Sequence, residues 1–179
     1  FIDRYGYDLR YVHGLGNWLI FDERWRQDDD KGILRRVERF RKELLFAAAK
    51  GISDRKAEDA AIERAQQMGK VPTIRNMLTL AEADAHVKLT LDDLDNDPWL
   101  VGARNAVINL QTGEAREHSR ERYITKCLAV DYDPNATCPR WRAFLDEIFL
   151  DPELIRYVWK AVGYSLTGTV AEKVFFFLH

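Results

Sequence analysis

Residues 9–25, LRYVHGLGNWLIFDERW, and residues 31–51, KGILRRVERFRKELLFAAAKG, decide the fold class between them. In the first, Leu9 to Val12 and Trp18 to Phe21 are short β-prone runs joined by His-Gly-Leu-Gly-Asn. Phe21-Asp-Glu-Arg-Trp25 is then a turn into a third strand, so an antiparallel meander is expected over residues 1–27. In the second, Ile33, Val37, Phe40, Leu44 and Ala48 recur at three- and four-residue steps, which places them on one helical stripe from Asp29 to Lys50, with Gly51 as the stop. Short β-prone runs followed by a stripe of period 3.6 point to an α+β chain.

Working outward, Ser53 or Asp54 is positioned to cap an Ala-rich helix to Met68, and Thr73 to start a third helix to Val87 with Ile74, Met77, Leu78, Ala81 and Ala85 inward. Leu100 to Val101 and Ala106 to Leu110, turned by Thr112-Gly113 and returning through Ala115 to His118, predict a second small sheet, with Ile124 to Val130 as an added strand. Pro139 starts a helix with Trp141, Phe144, Leu145, Ile148 and Phe149 on one side. Asp151-Pro152 opens another, through Ile155, Val158, Val162 and Leu166 to Gly168. The expected architecture is mostly helical α+β with two small antiparallel sheets: a meander (1–27), a helical part (28–88), a small sheet (89–130) and a helical pair (131–168). Residues 169–179 end in the apolar run Val174 to Leu178, which reads as a strand buried on both faces with its partners in an absent, truncated domain.

Composition bounds the function. The chain of 179 residues is 46% hydrophobic with only ten Gly and five Pro, so it folds as a globular piece, and no apolar run reaches the ~18 residues of a membrane span. Phe1 in place of Met suggests a processed or trimmed protein. Cys127 and Cys138 form no CxxC and are expected as thiols in a reducing, cytoplasmic setting. A net charge of -2 excludes a wholly basic surface, so any polyanion site is local.

Several motifs fail when tested. Asp93, Asp95 and Asp97, like Asp131, Asp133 and Asn135, alternate as in a calcium loop. The required Gly is replaced by Pro98 or Ala136 and the closing Glu by Arg104 or Arg142, so caps and solvated loops are the better reading. Asp28-Asp29-Asp30 sits at a helix start, where capping competes with magnesium and prevails. His13, His86, His118 and His179 are scattered, no GxSxG is present, and Gly14-Leu-Gly16 lacks a third glycine. No catalytic, cofactor or metal residue is assigned.

Charge order is more informative. Lys31 to Lys50 holds seven basic and two acidic residues, whereas Glu82 to Asp97 holds six acidic and one basic. On the long helix Arg35, Arg39 and Lys42 lie opposite the apolar stripe and Arg36 flanks it, a spacing suited to successive phosphates. Glu38 and Glu43 stand four residues from Lys42 and Arg39 and neutralise part of that charge. A solvated face or a subunit contact with the acidic segment is the competing reading. Trp18, Trp25, Trp99, Trp141 and Trp159 are read as core in preference to base-stacking platforms.

Four ordered blocks resemble the domain that precedes the superfamily-three helicase in phage, plasmid and poxvirus primase-helicases. They are Asn17-Trp18-Leu-Ile-Phe-Asp-Glu-Arg-Trp25-Arg-Gln-Asp28, Asn105-Ala-Val-Ile-Asn-Leu110-Gln-Thr112-Gly113, Asp133-Pro134 with Ala136, Cys138-Pro139, Trp141 and Phe144-Leu145, and Gly163-Tyr-Ser-Leu-Thr-Gly168 with Phe175-Phe-Phe-Leu-His179. Ala106 stands where that family usually has Gly and Asn109 where it has Asp. The resemblance implies a Phe-rich strand leading into a Walker A loop, so that ATP and magnesium act in the parent and no cofactor binds here. It implies a non-catalytic linker or collar in a hexameric replicative primase-helicase, with single-stranded or forked DNA as a partner. The alternatives left by the residues are a direct DNA-binding module using Arg35, Arg36, Arg39 and Lys42, and a general protein-interaction domain.

Overall fold

The computed structural model describes residues 1–51, 55–173 and 175–176. Among them are six α-helices and two small sheets, the α+β and mostly helical class expected. The chain divides into two compact units, Phe1–Leu94 and Asp95–His179.

The first unit opens with α1 (Ile2–Tyr5) and a 3-10 turn, then the meander β1 (Leu9–Val12), β2 (Asn17–Asp22) and β3 (Arg24–Gln27). Leu9 faces Ile20 and Tyr11 faces Trp18, while Phe21 faces Trp25. Trp18 to Phe21 are buried without alternation, because both faces of β2 are covered. On one face Leu9, Trp18 and Ile20 join Ile33, Ala81 and Val87 in a core cluster. On the other, Phe21 meets Trp25 edge-on at 5.3 Å, and the Arg10 guanidinium lies 5.3 Å from the Trp25 ring centroid.

The expected long helix is α2 (Gly32–Gly51). Its first free N–H groups, on Gly32 and Ile33, donate to the Asp28 carboxylate, so the acidic run caps the helix as expected. α2 starts close to the sheet: a Cβ on Gly32 would lie 2.7 Å from Ile20 Cδ1, the movable end of that side chain. Ile33, Val37 and Ala48 are buried and Phe40 and Leu44 half-buried, with Phe40 edge-on to Phe1 and Tyr5. Next comes α3 (Arg55–Gln67), which packs on α2; the expected cap at Ser53 or Asp54 lies outside the described residues.

The third helix departs from expectation at both ends. It is α4 (Val71–Glu82), entered from an extended Lys70 with Pro72 in its first turn. It stops at Glu82, because Asp84 accepts the His86 N–H and bends the chain into β4 (Lys88–Leu89). β4 pairs parallel with β1, giving the sheet order β3-β2-β1-β4, so the first sheet is mixed and not purely antiparallel. Val87 is thus fully buried beside the strand, and Ala85, expected inward, is exposed.

In the second unit β5 (Leu100–Gly102), β6 (Val107–Asn109) and β7 (Ala115–Arg116) form the expected antiparallel sheet. Asn109 shapes the hairpin turn: its Oδ1 accepts the N–H groups of Gln111 and Thr112, and Gly113 follows with φ 74°. The strand expected over Ile124 to Val130 shrinks to one parallel bridge between Gly102 and Cys127. Asp95 explains this, since its carboxylate accepts the Thr125 N–H (2.7 Å), the Thr125 hydroxyl (2.6 Å) and the Lys126 N–H (3.1 Å), which removes those donors from a ladder.

α5 (Pro139–Ile148) and α6 (Pro152–Ser165) begin at the expected prolines, and Asp151 accepts the Glu153 N–H as cap. Gly168 then backs onto Pro98, donating its N–H to the Pro98 carbonyl. Of the five α5 residues expected on one inward side, only Leu145 is buried and Phe149 half-buried; Trp141, Phe144 and Ile148 are exposed, as are Val162 and Leu166. Phe175 and Phe176 lie in no strand, and Val174, Phe177 and Leu178 of the expected terminal strand lie outside the described residues. Among the described residues no helix is long and apolar enough to cross a membrane.

Gly102 is the tightest point of the second unit, where a Cβ would sit 2.6 Å from the Lys126 carbonyl oxygen, a backbone atom that cannot swing away. Gly102→Ala is therefore expected to cost about 2–3 kcal/mol, read by urea unfolding followed through Trp fluorescence. Asp28→Ala, which strips the α2 cap, is expected to cost about 1 kcal/mol in the same assay.

Candidate nucleic-acid interface

The outer face of α2 carries the charge. Arg35, Arg39 and Lys42 recur at steps of four and three residues, so they form one row about 10 Å long on the helix surface. They line a shallow groove of about 550 Å³ together with Lys31, Leu34, Asp30 and Glu38. Three of the four residues singled out from the sequence are thus brought together. Arg36 is not: it is half-buried on the flank of the helix and does not line the groove. Lys31 was missed because it precedes the helix, where its positive φ of 61° turns the chain into α2; its place four residues before Arg35 was the available signal.

Carboxylates offset part of this face. Arg35 binds Asp30 at 2.8 Å, and the resulting hydrogen bond holds the Asp30 carboxyl below its usual range. Arg41 grips Glu38 through two hydrogen bonds of 2.6 and 2.8 Å, which depress the Glu38 carboxyl likewise. Lys42 reaches the same Glu38 only at 3.9 Å. Both acids are ionised at neutral pH, so this compensation is present whenever the groove is offered to a polyanion.

Glu43 behaves differently from expectation. Its carboxylate accepts the Tyr5 hydroxyl at 2.9 Å and lies 3.4 Å from Arg4, so it holds α1 against α2 and does not neutralise Arg39. Tyr5 is raised above its ordinary pKa by burial and by this bond. Arg39, exposed, has no ion pair among the described residues. Because Asp28 already fills the first N–H groups of α2, an anion on this face would be held by side chains and not by the helix terminus.

The acidic segment has local employment. Asp93 accepts the Thr90 N–H and hydroxyl in a capping box, Asp84 and Asp97 accept the N–H groups of His86 and Trp99, and Asp95 pins Thr125 and Lys126. Asp133 accepts the Asn135 N–H in the second loop that imitates a calcium site. Among the described residues no three His, Cys, Asp or Glu side chains gather as metal ligands. Trp18 and Trp25 are core, as read from the sequence, while Trp99, Trp141 and Trp159 each keep more than a third of their surface exposed.

The family described as D5 N terminal like matches residues 1–150, a span that takes in the whole first unit and the second as far as α5. No curated protein matches the chain.

If the groove binds polyanions through its net positive charge, removing an acid from its wall strengthens it. Glu38→Gln, which leaves Arg41 and Lys42 without their carboxylate, is expected to elute later from heparin than the parent chain with an unchanged melting temperature. Equal elution would mean that the row makes no contact with the polymer.

Proposed function

The chain belongs to the D5 N-terminal-like family, the domain found in phage, plasmid and poxvirus primase-helicase proteins, and on that basis we propose that it serves as a non-catalytic linker or collar domain of a replicative DNA primase-helicase. In this reading it supports oligomerisation and guides DNA for an ATP-driven helicase. ATP and magnesium belong to the motor of the parent protein, in a reducing cytoplasm.

The observation that supports the DNA part is the groove on α2, with Arg39 uncompensated and Lys31, Arg35 and Lys42 beside it. A short row of flexible cations reads phosphate charge and not base edges. Contacts of this kind are individually weak and exchange quickly, which suits a strand that must move past them. A tight sequence-reading interface would hold the strand still. The same row supports the second reading, a direct DNA-binding module, and the two differ in strength: guidance needs only weak, salt-sensitive affinity.

The test is a titration of the chain with labelled single-stranded and forked DNA across a salt series. About three phosphate contacts predict a slope of log K against log salt near -2 for a single strand. Arg39→Glu combined with Lys42→Glu is expected to weaken binding about tenfold or more and to flatten that slope, with Arg36→Glu doing less because it lies off the groove. Unaltered affinity in the double variant would sink the DNA reading. Incubation with ATP and magnesium is expected to release phosphate at the background rate, and turnover by the purified chain would overturn the non-catalytic assignment.

A further inference from the structure

The exposed side of α5 carries a second pattern. Trp141, Phe144 and Ile148 form an apolar stripe at steps of three and four residues, with Trp141 stacked on Phe144 at 5.4 Å and edge-on to Trp159 of α6 at 6.3 Å. One charged flank borders the stripe, shared by Arg140 and Glu147, seven residues apart, while the other edge is the buried Leu145 and Arg142 and Asp146 lie beyond it. All four are exposed, and among the described residues none of them forms an ion pair.

The order of these charges is the informative part. Both arginines lie in the N-terminal half of α5 and both acids in its C-terminal half, the reverse of what the helix dipole favours. The arrangement therefore costs the helix stability by itself. It becomes favourable when the same helix lies against it running the other way. An antiparallel copy crossing at Phe144 places Arg140 opposite Glu147 of the second copy, and Glu147 opposite its Arg140, along the shared flank. It also sets Phe144 against itself and Trp141 near Ile148 of that copy. A parallel copy would set Arg140 against Arg140, and a nucleic acid or an anionic membrane would meet Glu147.

We propose that α5 is a self-association surface, on which a second copy of this chain docks antiparallel across a twofold axis at Phe144. The contact is isologous, so each ion pair occurs twice. It is independent of the DNA reading and is not the head-to-tail contact that closes a ring. A ten-residue helix pair buries less than the ~1,200 Å² of a standard interface, so the dimer is expected to be weak.

Sedimentation velocity of the 179-residue chain from about 10 to 500 μM tests this. The parent is expected to shift from monomer to dimer with concentration, and Phe144→Asp to stay monomeric throughout. Arg140→Glu and Glu147→Arg are each expected to weaken the dimer about tenfold, while their combination restores it to within about threefold. Each single reversal relieves a charge that opposes the dipole, so α5 should fold at least as well, and a folding defect would not be rescued by the pair. A parent that stays monomeric, single reversals that associate like the parent, or a double variant that is not restored would each overturn the proposal.

Discussion

The first unit depends on the start of α2, where Asp28 takes the first N–H groups and Ile33 and Val37 turn into the core. A chain leaving a sheet can start a helix in many directions, and here the missing Cβ lets the helix backbone come down onto the Ile20 side chain while Asp28 closes on the first N–H groups. The Asp28 bonds are local in sequence, yet with the burial of Ile33 and Val37 they fix which side of α2 is covered. Once Ile33 and Val37 are buried, the 100° step of the helix leaves Arg35, Arg39 and Lys42 no position but the outer face. The basic row is thus a consequence of a core contact, and its orientation is as rigid as that contact.

Aspartate is the second organising element. Asp28, Asp84, Asp93, Asp95, Asp97, Asp133 and Asp151 each accept backbone N–H groups at a turn or helix start. Short carboxylates do this well because they reach donors two or three residues away with little loss of freedom. The same spacing of acids marks metal loops, which is why two stretches imitate one. What separates the uses is the absence of the glycine and the closing glutamate, together with the backbone donors that the carboxylates already serve. Asp95 goes further than a cap: by taking the donors of Thr125 and Lys126 it prevents a strand that the residue types favour.

What was legible in the sequence was whatever repeats over several residues. The meander, the stripe of α2, the Thr-Gly hairpin and the two proline-started helices all showed because period or turn chemistry recurs within a short window. β4 was not legible: two residues, Lys88 and Leu89, have no period, and their partners Tyr11 and Val12 are far away along the chain. Reading α4 through to Val87 failed because Ala83 to His86 suit a helix by residue type, while the Asp84 bond to the His86 N–H and the pairing of the next residues end it. In the candidate site, the charged row could be read from spacing, but its compensation could not. Glu43 stands four residues from Arg39 and still turns to Tyr5, because α1 brings a hydroxyl and Arg4 closer.

Two surfaces remain without partners in the described chain, and they differ in physics. The α2 row is a charge effect, strongest at low salt and lost as counterions replace it. The α5 stripe is mainly apolar, so burying it is little affected by salt, with only its flanking pairs screened. The rows also lie on separate units, α2 in the first and α5 in the second. Salt therefore acts on them unequally: a polyanion on the α2 row would be released as salt rises, while an association through α5 would largely persist.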